Sequence, residues 1–302
     1  MNNTKNKSAI ELSIIIPFFN RIDLLNNTLK SFDSIQNNNF EIILVDDGST
    51  ENFNNTYNGF LDTKIKYFRI KNSERGYARN YGAHKARGKY LNFFDSDDIV
   101  LQNHVNSFID FAKKNNYPNV FANSYILSDS KKKLNKNIVL NGILNNKIFK
   151  KNILSCNSVF IRKDFFLQNK FCENRDLSGS EDWELWLRIA SKEKFLGNKV
   201  ISSIINNHID RSTIKQNLKK MIKRIDTLEK IILSKRYLVQ KNIYYKNVRS
   251  EIYSFKSLIL SSDKDKRKEA VIYLFNSLFL RPSRFFDKRN LVIFRNIIFS
   301  LI

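Results

Sequence analysis

Short apolar runs that stop abruptly at turn-forming or acidic residues set the pattern of the first hundred positions. Leu12 to Ile16 is β-branched and closed by Pro17, and Phe40 to Val45 runs straight into Asp46-Asp47-Gly48-Ser49. Ile65 to Ile70 is a third run, and Tyr90 to Phe94 a fourth, stopped by Asp95-Ser96-Asp97-Asp98. Their length and branching predict buried strands. Between them Ile22, Leu25, Leu29 and Phe32 fall at helical spacing, and Arg75 to Arg87 is alanine-bearing with a helical period. Strands that alternate with helices predict a parallel sheet covered on both faces.

Beyond Val100 the pattern loosens. It predicts a helix over Val105 to Lys114, a strand over Asn119 to Ile126, and a surface loop or hairpin over the Lys/Asn-rich stretch Ser128 to Asn146. A strand over Ser158 to Arg162 leads to a loop over Phe171 to Ser180, then a helix over Glu181 to Ser191. Ser178 or Ser180 would cap that helix, and Glu181 and Asp182 sit favourably in its first turn. Phe195 to Ile205 reads as a strand ending near His208. From Ser212 the chain reads as helical over Ile214 to Lys235, Val239 to Ser261, Lys264 to Leu280 and, after Pro282, Leu291 to Ile302. This change of pattern puts a domain boundary near residue 211.

Composition narrows the class. A chain of 302 residues with 42% hydrophobic and 13% aromatic residues has ample material for a core, which excludes intrinsic disorder. Cys156 and Cys172 are too few for a disulfide scaffold and suit a reducing compartment, with the cytoplasm as the default. Met1 to Ser8 lacks the apolar core of a secretory signal, and the uncharged run Ala270 to Leu280 is too short to span a bilayer. The net charge of +23 is unevenly placed, with 22 Lys+Arg against 7 Asp+Glu in residues 211–302. A compositional bias toward Asn, Lys and Ile and a functional basic surface are both open readings of that excess.

In open α/β sheets, ligands sit outside the carboxyl ends of the strands. Pro17-Phe18-Phe19-Asn20, Asp46-Asp47-Gly48-Ser49 and Asp95-Ser96-Asp97-Asp98 all occupy that edge. None has the Gly-x-Gly-x-x-Gly of dinucleotide binders or the Gly-Lys-Ser/Thr of a P-loop. Phosphates must be held another way.

The set of motifs resembles glycosyltransferase family 2. The matching residues are Ser13 to Asn20, Val45-Asp46-Asp47-Gly48-Ser49-Thr50, Glu74 to Ala83, Gly88 to Asp98, and Glu181-Asp182-Trp183, in family order and at family spacing. The resemblance implies an α/β, GT-A type Rossmann-like, mostly parallel sheet flanked by helices, with a C-terminal helical extension. Residues 1–211 would form the catalytic domain, with a nucleotide-sugar half at about 10–100 and an acceptor half at about 101–211, and 212–302 the basic helical extension. It also implies transfer of a hexosyl or N-acetylhexosaminyl group, with inversion, from a nucleotide-diphosphate sugar such as a UDP-sugar to a glycan or lipid-linked acceptor hydroxyl. The setting would be bacterial surface polysaccharide synthesis, in the cytoplasm and peripheral to the inner face of the cell membrane.

Residue by residue, the resemblance makes Asp97 a ligand of Mn²⁺ or Mg²⁺, the oxygen-seeking cations that neutralise a diphosphate leaving group. Asp95 would assist through the donor ribose or a metal-bound water, with Asp98 as an accessory. The alternative for all three is a solvated, helix-capping loop. Asp47 would accept from the base, against a plain Asp-Gly turn, and Pro17 and Asn20 would shape the loop along the nucleoside, against a local turn role for Asn20. Arg79 would contact phosphate or base, and an ordinary salt bridge suits Arg75 better. Asp182 matches the catalytic base, with Glu181 and Trp183 in the acceptor and sugar pocket, against two acids that merely favour a helix N-terminus. His208 would complete the metal or diphosphate site, although Asn206 stands where the family's Arg precedes it, and an exposed loop His is the alternative. His84, His104 and both cysteines read as structural.

In the tail, Val271, Ile272, Leu274, Phe275, Leu278 and Phe279 alternate with a basic collar that includes Lys264, Lys268, Arg281, Arg284, Lys288, Arg289 and Arg295. Such helices lie in the headgroup zone of anionic membranes. A helical cap on the catalytic domain or a dimer contact is the competing reading. A nucleic-acid-binding protein has no need of five strand-end acids, which repel phosphates. A catalytically silent glycosyltransferase-like scaffold at the membrane is opposed by the joint presence of Asp95, Asp97 and Asp182.

Overall fold

Ten strands of one sheet carry the first part of the chain in the computed structural model, which describes residues 10–51, 53, 62–129, 134–207, 218–234 and 242–298. The strands are β1 (Leu12–Phe18), β2 (Phe40–Asp46), β3 (Ile65–Arg69), β4 (Tyr90–Phe93), β5 (Ile99–Val100), β6 (Val120–Asp129), β7 (Leu134–Ile138), β8 (Gly142–Ile143), β9 (Val159–Arg162) and β10 (Leu196–Asn207). The helices are α1 (Ile22–Phe32), α2 (Arg75–Lys85), α3 (His104–Lys114), α4 (Asn145–Lys150), α5 (Lys163–Leu167), α6 (Glu181–Ala190), α7 (Leu218–Ser234), α8 (Asn242–Ser261), α9 (Arg267–Leu280) and α10 (Lys288–Ile298). Spatial order is β3-β2-β1-β4-β9-β6-β10-β5, with β7 beside β6 and β8 beside β10.

The expected parallel sheet forms over β3, β2, β1 and β4. Farther along, β9 enters antiparallel between β4 and β6, and β10 returns parallel to β6. The Lys/Asn-rich stretch resolves toward the hairpin alternative, because β7 pairs antiparallel with β6. Two short helices, α4 and α5, were not read from the sequence.

Local chemistry explains the strand ends. Pairing of β1 with β4 stops at Ile15, so Pro17, which has no N–H to donate, sits where only β2 flanks the strand. α2 packs tightly on the sheet at Gly82, where a Cβ would come within 2.5 Å of Ile15 and 3.1 Å of Val45. His104 is fully buried, with ring nitrogens 3.1 Å from Asn92 Oδ1 and Ser202 Oγ, and burial pushes its pKa down to about 4. It is therefore a neutral core residue tying α3 to β4 and β10, as expected for a structural histidine. Cys156 and Cys172 are free thiols.

The chain divides into two compact units. The first comprises Met1–Leu144, Leu154–Arg175 and Glu193–Arg211; the second gathers Asn145–Ile153, Asp176–Lys192 and Ser212–Ile302. Thus α4 and α6 belong with the C-terminal helices. In that second unit α8 is the central helix, and small hydroxyl residues let its neighbour approach closely. Ser250 and Ser277 each donate to the other's carbonyl at 2.8 Å, and Ser257 donates to the Ala270 carbonyl at 2.7 Å. Buried charges there are paired: Lys256 lies 2.7 Å from both Asp226 and Glu229, and these partners outweigh burial to raise its pKa. Among the described residues no helix is long and apolar enough to cross a membrane.

Candidate active site

Three loops meet at the carboxyl edge of β1, β2 and β4. After β1, Asn20 adopts a left-handed conformation with φ 53°. Its side-chain oxygen accepts from the Thr50 amide at 2.8 Å, while its own amide donates to Ser49 Oγ at 2.8 Å. Asn20 thus fastens the β1 loop to the β2 loop.

At the end of β2 the two acids do different work. Asp46 is fully buried and accepts from the Ser49 amide and the Tyr67 hydroxyl, both at 2.8 Å; burial and this carboxylate push the Tyr67 hydroxyl up to about 12. Asp47 accepts from the backbone amides of Ser73 at 2.7 Å and Glu74 at 3.0 Å, which clamps the loop leading into α2. Burial raises the Asp47 pKa, opposed by those two amides. Gly48 follows with φ +78°, and a Cβ there would come within 2.7 Å of the Asn72 amide.

The loop after β4 brings carboxylates together. Asp95, Asp97 and Asp98 offer ligand oxygens that all lie within 4.8 Å of one another. Asp98 is buried, and its oxygens accept from Asn157 Nδ2 at 2.7 Å and from the Asn206 amide at 2.8 Å. Asn157 also accepts from the Asp95 amide at 3.1 Å, and Asn206 Nδ2 donates to the Asp97 carbonyl at 3.0 Å. Two asparagines therefore hold the loop from behind, leaving Asp95 and Asp97 as its partly exposed carboxylates. Hard oxygen donors in this density are the donor set that Mg²⁺ and Mn²⁺ prefer. Arg79 is 3% exposed and bonds Asp95 at 2.8 Å, with its guanidinium over the Phe171 ring. Its guanidinium thus reaches the aspartate cluster through a bond to one of its carboxylates.

Asp182 and its neighbours lie in the second unit. Asp182 Oδ2 accepts from Asn152 Nδ2 at 3.1 Å and Oδ1 from the Trp183 amide at 2.7 Å. Trp183 is nearly buried and donates its indole N–H to the Ile148 carbonyl at 3.1 Å. Ser180 holds the N-cap position of α6 but makes no side-chain capping bond; the buried Glu181 carboxylate instead accepts from the Gly179 amide. The expected capping bond is therefore not made by Ser180, and the glutamate reaches back to the turn. Among the described residues no other group of three His, Cys, Asp or Glu side chains is placed to hold a metal. His208 lies outside the described residues.

The profile of the family described as "Glycosyl transferase family 2" matches residues 13–171. The chain belongs to this family. The match takes in the strand-end motifs from Ser13 to Asp98 and stops short of Glu181-Asp182-Trp183. An uncharacterized glycosyltransferase of Rickettsia conorii is 33% identical over 68% of this chain and 33% of its own length, so the chain spans about a third of that relative. A GalNAc(5)-diNAcBac-PP-undecaprenol beta-1,3-glucosyltransferase of Campylobacter jejuni is 29% identical over 63% of this chain and 62% of its own. The UDP-Glc:alpha-D-GlcNAc-diphosphoundecaprenol beta-1,3-glucosyltransferase WfgD of Escherichia coli is 27% identical over 70% and 83%. Among solved structures, S. aureus TarS 1-349 in complex with UDP-GlcNAc superposes with a TM-score of 0.58 at 14% identity, over 90% of this chain and 91% of that one. That likeness shows the GT-A type fold expected from the sequence.

For a family 2 chain, the residues that sequence reasoning missed are Asn157, behind the Asp95–Asp98 loop, and Asn152, on Asp182, together with the bracing contact of Asn206, which the sequence showed only as standing in place of an Arg. Each acts across 30 to 108 residues of chain, so no local motif announces it.

Proposed function

We propose that the chain transfers a sugar with inversion from a UDP-sugar to a hydroxyl of a lipid-linked or glycan acceptor during surface-polymer synthesis. The observation that carries this reading is the Asp95–Asp97–Asp98 cluster at the carboxyl edge of β4, within a family 2 fold. Asp97 and Asp95 would hold Mn²⁺ or Mg²⁺, and Asp98 keeps the loop rigid. A bound cation supplies Lewis-acid stabilisation of the departing diphosphate. Arg79 fixes the Asp95 carboxylate, and Asp47, with Pro17 and Asn20 beside it, forms the nucleoside side of the loops. Asp182 takes the proton from the acceptor hydroxyl as it attacks, its carboxylate oriented by Asn152, with Glu181 and Trp183 forming the adjoining wall. His208 joins the diphosphate side in this reading. The relatives named for diphosphoundecaprenol-linked substrates favour that class of acceptor, and hexosyl or N-acetylhexosaminyl donors are the class to test first.

A panel of UDP-hexoses and UDP-N-acetylhexosamines, each with Mn²⁺ or with chelator, tests the donor assignment through thermal stabilisation. At 100 times Kd a ligand adds about 2.7 kcal/mol, so one or two donors should raise Tm by several degrees with Mn²⁺ and not with chelator. Uniform failure across the panel counts against the reading.

The second unit supports a site at the inner membrane face. α9 turns its small residues inward, with Ala270 and Ser277 buried, and its large ones outward, with Phe275 74% and Phe279 86% exposed. Phe286 is 82% exposed, and all exposed large apolar residues described in this unit fall between Val271 and Ile298. A helix that buries serine and displays phenylalanine fits an apolar partner. Lys264, Lys268, Lys288 and Arg295 stand exposed around it, which fits an anionic lipid headgroup. The apolar face and collar read from the sequence need correction: Leu274 of the apolar set is buried, and of the collar Arg284 is 3% exposed and bound to Glu251 and Asp287, and Arg289 is bound to Glu251. Wild type is expected to sediment with phosphatidylglycerol vesicles, less so as the Debye length shrinks from about 10 Å at 0.1 M salt to about 3 Å at 1 M. Changing Lys264, Lys268, Lys288 and Arg295 to Gln removes roughly 1 kcal/mol each and should release the protein. Equal partitioning of both onto anionic and neutral vesicles contradicts the membrane site.

A further inference from the structure

The segment Asn145–Ile153 is separated from the C-terminal helices by more than sixty residues of sequence, yet it packs in the second unit against α6 and α8. Three hydrogen bonds tie it to α6. Asn145 Nδ2 donates to the carbonyl of Ala190, the last residue of α6, at 2.7 Å. The Trp183 indole N–H donates to the Ile148 carbonyl at 3.1 Å, and Asn152 Nδ2 donates to Asp182 Oδ2 at 3.1 Å. α4 therefore runs back along α6, and the last of these bonds falls on the carboxylate assigned as base.

The tail also holds α4. Phe149 is fully buried, and its ring stacks on that of Tyr244 in the first turn of α8, with centres 4.2 Å apart and planes 13° from parallel. A helix of six residues has little stability of its own, so tertiary contacts such as these fix its place. Asn152 lines a cavity of about 170 Å³ together with Trp183 and with Ile252 and Phe255 of α8. Close packing therefore does not enclose the Asn152 side chain on that side, and its aim follows the backbone that leaves α4. From this juxtaposition we infer that Tyr244, acting through Phe149, is a positioning residue for the acceptor base: the stacked rings set α4 against α6 and so aim Asn152 at Asp182. The tail is then part of the transfer apparatus. The bracing of α4 stands on the contacts alone; its effect on transfer rests on the reading of Asp182 as base.

Two measurements separate these levels. The chain has two tryptophans, Trp183 and the fully buried Trp186, and the indole N–H of Trp183 bonds directly to α4. Its hydrogen exchange is followed by ¹⁵N NMR on the full chain without ligand, with Trp183→Phe to assign the signal. Tyr244→Ala should speed that exchange by about tenfold or more, as a local opening does, and leave Trp186 within about twofold of wild type. Tyr244→Phe, which keeps the ring, should restore protection. Turnover is read as UDP release from the UDP-sugar that stabilises wild type, with water as acceptor. Tyr244→Ala and Asn152→Ala should each lower kcat by about 10- to 100-fold, the scale of a misaligned catalytic group. UDP affinity should stay unchanged, since Asp47, Arg79 and Asp97 belong to the first unit. The double variant should match the weaker single variant within about twofold, because both changes act through one bond.

Additive losses in the double variant, or an unaltered Trp183 indole in folded Tyr244→Ala, would overturn the inference. A tyrosine that only holds the helices together gives such additivity. Asn145→Ala loosens the opposite end of α4 and keeps the test open should Tyr244→Ala unfold the unit: it should show the same faster exchange and the same non-additivity with Asn152→Ala. Wild-type kcat in Asn152→Ala would overturn the positioning role. Should wild type turn over no UDP-sugar while the indole remains Tyr244-dependent, the glycosyltransferase reading falls and the bracing of α4 stands.

Discussion

Asp97→Asn is expected to lower sugar transfer by at least about 10²–10³-fold, the scale of losing one electrostatic stabiliser of a leaving group, while the chain stays folded. Asp97 is partly exposed in a loop whose backbone is held by Asn206 and whose neighbour Asp98 is bound by Asn157. The amide retains the shape but loses the charge that would hold a divalent cation beside the donor diphosphate. Stabilisation by UDP with Mn²⁺ should vanish with it, and the parent should lose activity to the same degree in excess chelator. Asp98→Asn offers a contrast, because its new NH₂ would face the donors of Asn157 and Asn206. Activity lost there should come with a lowered Tm. Wild-type turnover in Asp97→Asn, measured as UDP release, would remove the metal assignment.

For Asp182→Asn the expected pattern is different: donor binding unchanged and transfer reduced by about 10²–10⁴-fold, as for a missing general base. The carboxylate sits at the start of α6, accepting from Asn152 and from the Trp183 amide, so the side chain is fixed while still able to take a proton. An Asn can keep the bond to Trp183 but presents no basic oxygen. Comparing kcat with UDP affinity separates the roles. Parallel loss of UDP binding would place Asp182 with the donor, and unchanged kcat would move the base to another residue.

Strands β1, β2 and β4 were legible because each is an apolar run ended abruptly by a proline or by acids, from Leu12 to Asp47 and again at Tyr90 to Asp98. Direction was harder. The apolar run of β9 reads the same in either orientation, and only tertiary pairing makes it antiparallel between β4 and β6. Helices α4 and α5, of six and five residues, are shorter than two turns and carry too little periodicity to be seen. The acids of the candidate site could be read because strand ends are local. Their supports could not: Arg79 is identifiable as a cation in α2, but that it bonds Asp95, or that Asn157 and Asn206 brace Asp98, is set by contacts between distant segments. The tail showed its composition and not its facing. Leu274 and Phe275 are adjacent in sequence, yet one is buried and the other points to solvent.

The direct test of the central claim is a titration of Mn²⁺ in the presence of UDP, followed by the electron paramagnetic resonance signal of the free ion. Wild type should bind one Mn²⁺ per chain with UDP present, and Asp97→Asn should leave the ion free over the same range. Binding of one Mn²⁺ by Asp97→Asn with wild-type affinity, or no UDP-dependent binding by wild type, would contradict the assignment of a donor-binding metal site at the end of β4.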